Sequence, residues 1–253
     1  MSTDPKSHRS PVRVGDAEFE AASKTAKKFI NFHRHPIRAL GAMREVPNLK
    51  RFMRSLPEVV ISRSEINLAL EQHFQRSQLC QAVLFVGATH NEYITGQSRH
   101  ALRTNLNRAS ESGITCAPVL IEVEKLEIAW ALAGALRRFS IKPEDLFARR
   151  DDGWIAAHSR EGAPIATALT SHSGAWGLLN LLVARSDHRD SSHARWAIHA
   201  AAVAQLRSKG VRYMFVEGKS PLVIDPGLQH FQRLNGYQVI NVRLVPERRR
   251  GKR

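Results

Sequence analysis

The sequence predicts an α/β protein: a mixed, mainly antiparallel sheet flanked by helices, preceded by a basic helical extension. Three observations predict it. Between about residues 153 and 186 the hydrophobic pattern has period two and is broken by the turn REG, which reads as consecutive antiparallel strands. A long helical segment follows, SSHARWAIHAAAVAQLRSKG, and then a strand, a short helix and a last strand. Upstream, two apolar runs, QAVLFVGA and ITCAPVLIEV, flank a helical segment at 98–113.

Taken in order, residues 1–20 lack periodicity and read as disordered. Residues 16–56 are helical and basic, with Phe19, Ala22, Ala26, Phe29 and Ile30 near one side and Pro36 interrupting. This gives an extension at 1–58, a main domain at 59–246 with its core at 151–246, and a basic tail at 247–253. Ser62 or Ser64 is placed to cap a short helix running through His73. QAVLFVGA reads as a strand. In the helix after it Leu102, Leu106 and Ala109 form the apolar stripe and Gly113 is the stop. ITCAPVLIEV reads as the next strand, and EKLEIAWALAGALRRFS as a helix continued by KPEDLFARR. GWIAAHS, APIATALTS and AWGLLNLLVARS read as three strands. Ser191 or Ser192 caps the long helix and Gly210 ends it. VRYMFVEG, PGLQHFQRLNG and YQVINVRLV then read as strand, helix and strand.

With 253 residues, 43% of them hydrophobic, the chain can bury a sizeable core. The formal charge of +15 favours phosphate-rich partners: nucleic acid, anionic lipid or a nucleotide cofactor. Two cysteines, Cys80 and Cys116, are too few for a disulfide framework. No apolar run approaches the roughly 20 residues of a membrane span, and the polar start has no apolar signal core, so a reduced, cytoplasmic protein is expected. His33 and His35 lack complementing ligands at zinc-site spacing, so no metal is expected, and there is no P-loop or G-x-G-x-x-G.

The order of elements from 151 to 246, with KGVRYMFVEG and GLQHFQRLNGYQVINVRL, resembles the core of the GNAT (acyl-CoA N-acyltransferase) superfamily. EYITGQSRHALRTNLNRASESGI more weakly resembles a segment of its FemAB-like branch. The resemblance implies an acyl-group transferase using acyl-CoA or acetyl-CoA as co-substrate and an amine as acceptor. It implies a phosphate cradle of backbone N–H groups where a strand turns into the long helix. RDSSHA stands there: Arg189, Asp190, Ser191, Ser192, His193 and Ala194. Ser192 replaces the usual glycine, and a plain helix cap is the alternative reading of these serines. Gln232 stands where many members carry a tyrosine acid, and an amide cannot donate that proton. That departure keeps two alternatives open: an aminoacyl-tRNA donor, or a noncatalytic module that binds nucleic acid or another polyanion.

Glu217, ending VRYMFVEG, is the best-placed carboxylate for a general base, with His172 and then His158 after it. On the helix at 98–112, Arg99 and Arg103 are one turn apart, near Tyr93, and suit a substrate carboxylate or phosphate. A solvated strand end, loop or helix face is the plain alternative for each. Lys24, Lys27, Lys28, Arg34, Arg38, Arg44, Lys50, Arg51 and Arg54 give the N-terminal segment a basic character suited to RNA, tRNA or DNA phosphates; a chain-wide basic bias explains it equally.

Overall fold

The structure is a computed structural model that describes residues 16–30, 46–76, 80–95, 99–147, 153–218 and 220–246. The start of the chain, Arg34, Arg38, Arg44, the His33–His35 motif and the basic tail lie outside the described residues. The elements are α1 (Asp16–Ile30), α2 (Val46–Ser55), β1 (Glu58–Ser62), α3 (Leu68–Arg76), β2 (Gln81–Phe85), α4 (His90–Ile94), α5 (His100–Glu111), β3 (Thr115–Pro118), α6 (Glu122–Ala131), α7 (Ala133–Leu136), α8 (Pro143–Phe147), β4 (Gly153–His158), β5 (Pro164–Ser173), β6 (Trp176–Ala184), α9 (Ser191–Ser208), β7 (Tyr213–Val216), α10 (Pro226–Leu234) and β8 (Gln238–Val245).

The eight strands form one sheet in the order β1-β8-β2-β7-β6-β5-β4-β3. Only β1–β8 and β6–β7 pair in parallel; the other neighbours are antiparallel. The sheet is therefore mixed and mainly antiparallel, with helices on both faces, as the sequence predicts. The β4–β5 hairpin turns at REG, where Gly162 has φ +83 and Ser159 N–H reaches Ala163 O at 2.8 Å.

One apolar layer lies between the sheet and α9: Ala166, Ala168, Leu179, Ala184, Ile198, Ala202, Val203 and Leu206 are buried there, with Leu102 of α5. α9 is buried along most of its length, on the sheet side by strands and on its outer side by α5, so its sequence is apolar nearly all round. On the opposite face α6–α8 cover β4–β6 through Ile128, Leu132, Leu136 and Leu146, and α3 covers β2 and β7 through Leu70 and Phe74. α1 and α2 pack with Cys80, Leu222 and Val239, and Ser23 Oγ donates to Leu222 O at 2.7 Å.

Several local expectations change. The run ITCAPVLIEV is not one strand. β3 stops at Pro118, which has no N–H for a ladder, and α6 starts at Glu122, where Glu122 and Glu124 suit the positive helix end. The short helix at 68–76 is capped by Asn67, whose Oδ1 accepts from Leu70 N–H at 3.0 Å, while Ser62 and Ser64 bond each other. Asp190, not a serine, is the N-cap residue of α9, and its side chain makes no cap hydrogen bond. Ser191 is already inside the helix.

Candidate functional site

β6, α9 and β7 form a parallel strand–helix–strand unit, so three termini meet at one end of the sheet: the end of β6, the start of α9 and the end of β7. In parallel units ligands bind outside the carboxyl ends of the strands. Here that end is also split. β6 and β7 pair only from Trp176–Tyr213 to Leu179–Val216, with a last bond from Glu217 N–H to Leu179 O at 2.9 Å. β6 continues to Ala184 without β7 beside it. At the divergence β6 carries a bulge: Leu169 faces Leu181 and Thr170 faces Leu179, leaving Asn180 outside the register. Asn180 Nδ2 donates to Ser171 Oγ at 2.6 Å.

Glu217 stands where the two strands part. It is half-buried and lines a concavity of about 340 Å³ with Gln81, Phe139, Val216, Ile224, Leu228 and Gln232. The concavity lies between β7, β2 and α10, and none of its lining residues belongs to β6. Gln232 is buried in it, and its backbone carbonyl accepts from Tyr237 N–H at 3.0 Å.

The start of α9 lies at this same end. Ser191 N–H bonds His188 O at 3.1 Å and Ala194 N–H bonds Asp190 O at 2.9 Å. The N–H groups of Ser192 and His193 have no such acceptor among the described residues. Ser192 is exposed, so its Cβ does not fill the turn, and Ala194 is fully buried under the helix. Two open N–H donors, a serine hydroxyl and the helix dipole fit an anion. Asp190 puts a carboxylate in the same turn, engaged by Arg189 at 3.3 Å and lying 3.9 Å from His188 Nδ1.

His172 is not brought to this place. It pairs with Gly177 near the β5–β6 hairpin, two strands from β7 and roughly 10 Å back along β6 from the divergence, and its carbonyl accepts from Asn67 Nδ2 at 3.0 Å. His158 ends β4, three strands from β7.

Arg99 and Arg103 do not form a common face. Arg103 Nη1 donates to Ile94 O at 2.8 Å. Arg99 is the N-cap residue of α5, in a non-helical conformation (φ −103, ψ 8), and turns inward over the Tyr93 ring, 5.5 Å from its centroid. Tyr93 belongs to a buried relay that spacing along the chain does not reveal: Tyr93 Oη to His199 Nδ1 at 3.0 Å, and His199 Nε2 to Tyr237 Oη at 2.9 Å. Burial, with the Arg99 charge, pushes His199 down to about 3, so it is neutral, and burial raises both tyrosines. Lys50, Arg51 and Arg54 lie exposed on α2, while Lys24 pairs with Glu20 at 3.1 Å. Among the described residues no group of three metal-ligating side chains is assembled, and no helix is long and apolar enough to cross a membrane.

Comparison with solved structures shows a shared fold, a mixed α/β sheet flanked by helices. FemX shares it with a TM-score of 0.51 at 10% identity, over 64% of this chain and 59% of FemX. L-PGS from Bacillus licheniformis aligns with a TM-score of 0.47 at 13% identity, over 64% and 59% of the two chains. A GNAT family acetyltransferase from Brucella melitensis in complex with acetyl-CoA aligns with a TM-score of 0.38 at 16% identity, over 51% and 87%. This chain thus spans less than two thirds of the length of FemX and of L-PGS. No protein-family profile and no curated protein sequence matches it.

Proposed function

We propose that this chain is an acyl-group transferase that moves an acyl group from acyl-CoA to an amine at the divergence of β6 and β7. The observation that carries the reading is the opening itself: the β6–β7 ladder ends at Glu217 while β6 runs on past a bulge, beside a helix start with open N–H donors. The Ser192 and His193 N–H groups would hold the diphosphate of the donor, with Arg189 adding charge. The acyl thioester would lie in the opening, where main-chain groups at the Asn180 bulge face the developing oxyanion.

The acceptor amine attacks the thioester carbonyl, the C–N bond forms, and the C–S bond of the tetrahedral adduct breaks. Glu217 takes the proton that the nitrogen loses. Gln232 supplies no proton, so the departing thiolate takes one from water. Glu217→Gln keeps the size of the side chain and removes the base, so kcat should fall by about 10²–10⁴ with little change in the KM for acyl-CoA. An unaltered rate removes Glu217 from the mechanism. Absence of any thermal shift with saturating acyl-CoAs rejects the donor.

A second reading has its own support. Ser192 in the helix turn and Gln232 at the site both depart from the pattern expected of a coenzyme A thioester site. They favour an aminoacyl-tRNA donor, or a noncatalytic module that holds a polyanion on exposed bases such as Lys50, Arg51 and Arg54. Thermal melts with acyl-CoAs and with tRNA, run side by side, separate the readings. A tRNA shift that vanishes at moderate salt, with none from acyl-CoA, selects the second.

A further inference from the structure

Among the described residues Arg99 is a cation without a counter-ion. Among them it makes no hydrogen bond and no ion pair, and its Nη1 is enclosed with no acceptor. The groups around it offer no negative charge. Tyr93 beneath it and Tyr237 beyond it stay protonated, because burial raises both, and His199 between them is neutral. Enclosing part of a guanidinium without pairing it is unfavourable, and proteins seldom retain such an arrangement without a use.

The niche is nevertheless built for this side chain. A Cβ on Gly236 would lie 1.7 Å from Arg99 Nη1, so only glycine lets the guanidinium seat there, and Gly236 has φ +79. The Tyr93 ring fixes the other side. Asn235, next to Gly236, is fully buried and its Oδ1 also lacks a partner. Arg99 as a whole is only half-buried, and Nη1 is its one enclosed nitrogen without a partner, so the remaining edge of the fork is open. Arg99 is also the N-cap residue of α5, whose first turn carries no acid, so the positive helix end adds to the charge of the guanidinium.

We infer that Arg99 is the recognition residue of an oxyanion site, taking a carboxylate or phosphate group of a ligand on the open edge of its guanidinium, beside the first turn of α5. The site is independent of the acyl-transfer reading, because neither Glu217 nor the turn at 189–194 belongs to it. A planar fork fixed on a ring accepts two oxygens at once, which an ammonium cannot reproduce.

The test is a thermal melt of the full chain, titrated with sodium phosphate or sodium acetate against sodium chloride at matched ionic strength. The wild type should show a saturable rise in Tm beyond the chloride control. A rise with phosphate alone identifies a phosphate ligand, and a rise with acetate alone a carboxylate. Arg99→Met should abolish the rise, and Arg99→Lys should raise the half-saturating anion concentration at least tenfold. Arg99→Lys keeps the charge, so it guards against a methionine variant that fails to fold. If neither anion exceeds chloride in the wild type, or if Arg99→Lys responds as the wild type does, the site is not there.

Discussion

Gly236→Ala is the substitution that most directly tests the seating of Arg99. Two effects combine at this position. An alanine at φ +79 sits in the left-handed region, which costs about 1–2 kcal/mol. Its Cβ also claims the space of Arg99 Nη1, at 1.7 Å, and of Cζ, at 2.0 Å. The guanidinium is the far end of a flexible side chain, so it swings out instead of forcing the backbone apart. It then loses its contact with Tyr93, worth about 0.5–1 kcal/mol, and gains water in exchange. The backbone and ring terms together give an expected loss of about 1.5–3 kcal/mol, a fall in Tm of roughly 3–12 °C for a chain of this size. Urea unfolding at constant m-value measures it. Gly236→Asn separates the two effects, since asparagine tolerates the left-handed region but not the lack of space. In an Arg99→Ala background the niche is empty, and both substitutions should cost only their backbone term. Stability within 0.5 kcal/mol of wild type for Gly236→Ala, or an asparagine variant indistinguishable from glycine with Arg99 present, would refute the packing described.

His199→Gln should destabilise the chain by about 2–4 kcal/mol, because glutamine cannot reach both tyrosine hydroxyls and leaves at least one buried and unpaired; urea melts at pH 7 measure the loss. The same pair of proteins tests the pH dependence. With His199 held down to about 3 when folded and near 6.5 when unfolded, its neutral form contributes fully above about pH 6.5. Below that the unfolded chain binds the extra proton, so stability falls by about 1.4 kcal/mol per pH unit towards pH 3. The difference in slope between wild type and His199→Gln should be close to one proton over this window, and equal slopes would contradict a neutral buried imidazole. Burial raises the thiols of Cys80 and Cys116 to about 11, so both should react slowly with a disulfide reagent at pH 8 in the native protein and completely in denaturant. Prompt labelling of Cys80, enclosed beside Ser220, would contradict its placement.

The C-terminal half was legible because its segments are long and strongly periodic. β4, β5, β6, α9, α10 and β8 all lie within a few residues of where period and punctuation placed them. β1 was not legible, because Glu58–Ser62 is a five-residue strand with alternate residues exposed, set directly after Pro57, and its partner is β8, far along the chain. That the end of β7, with Glu217, and the start of α9, with the turn at 189–194, lie at one end of the sheet follows from strand–helix–strand connectivity, which the sequence does show. His172 lies away from Glu217, and its position near a hairpin turn says nothing about which end of the sheet that turn occupies. The pairing of Arg99 with Arg103 failed for a different reason. Spacing of four aligns side chains only within a helix, and Arg99, at the N-cap, is outside it. His199 carried no signal at all: its tyrosines are 106 and 38 residues away.

The placement of β2 has a consequence for how this chain is made. β2 is inserted between β7 and β8, and β1 closes the edge beyond β8, so strands from the first third of the chain separate and border the last two. A ribosome delivers β1 and β2 long before their partners exist. They must wait, with Val83 and Ile61 exposed, until nearly the whole protein has emerged. The sheet is thus closed last by its earliest residues, and a fragment beginning near residue 150 should present β7 and β8 as bare edges until a separately supplied N-terminal fragment fills the slot between them.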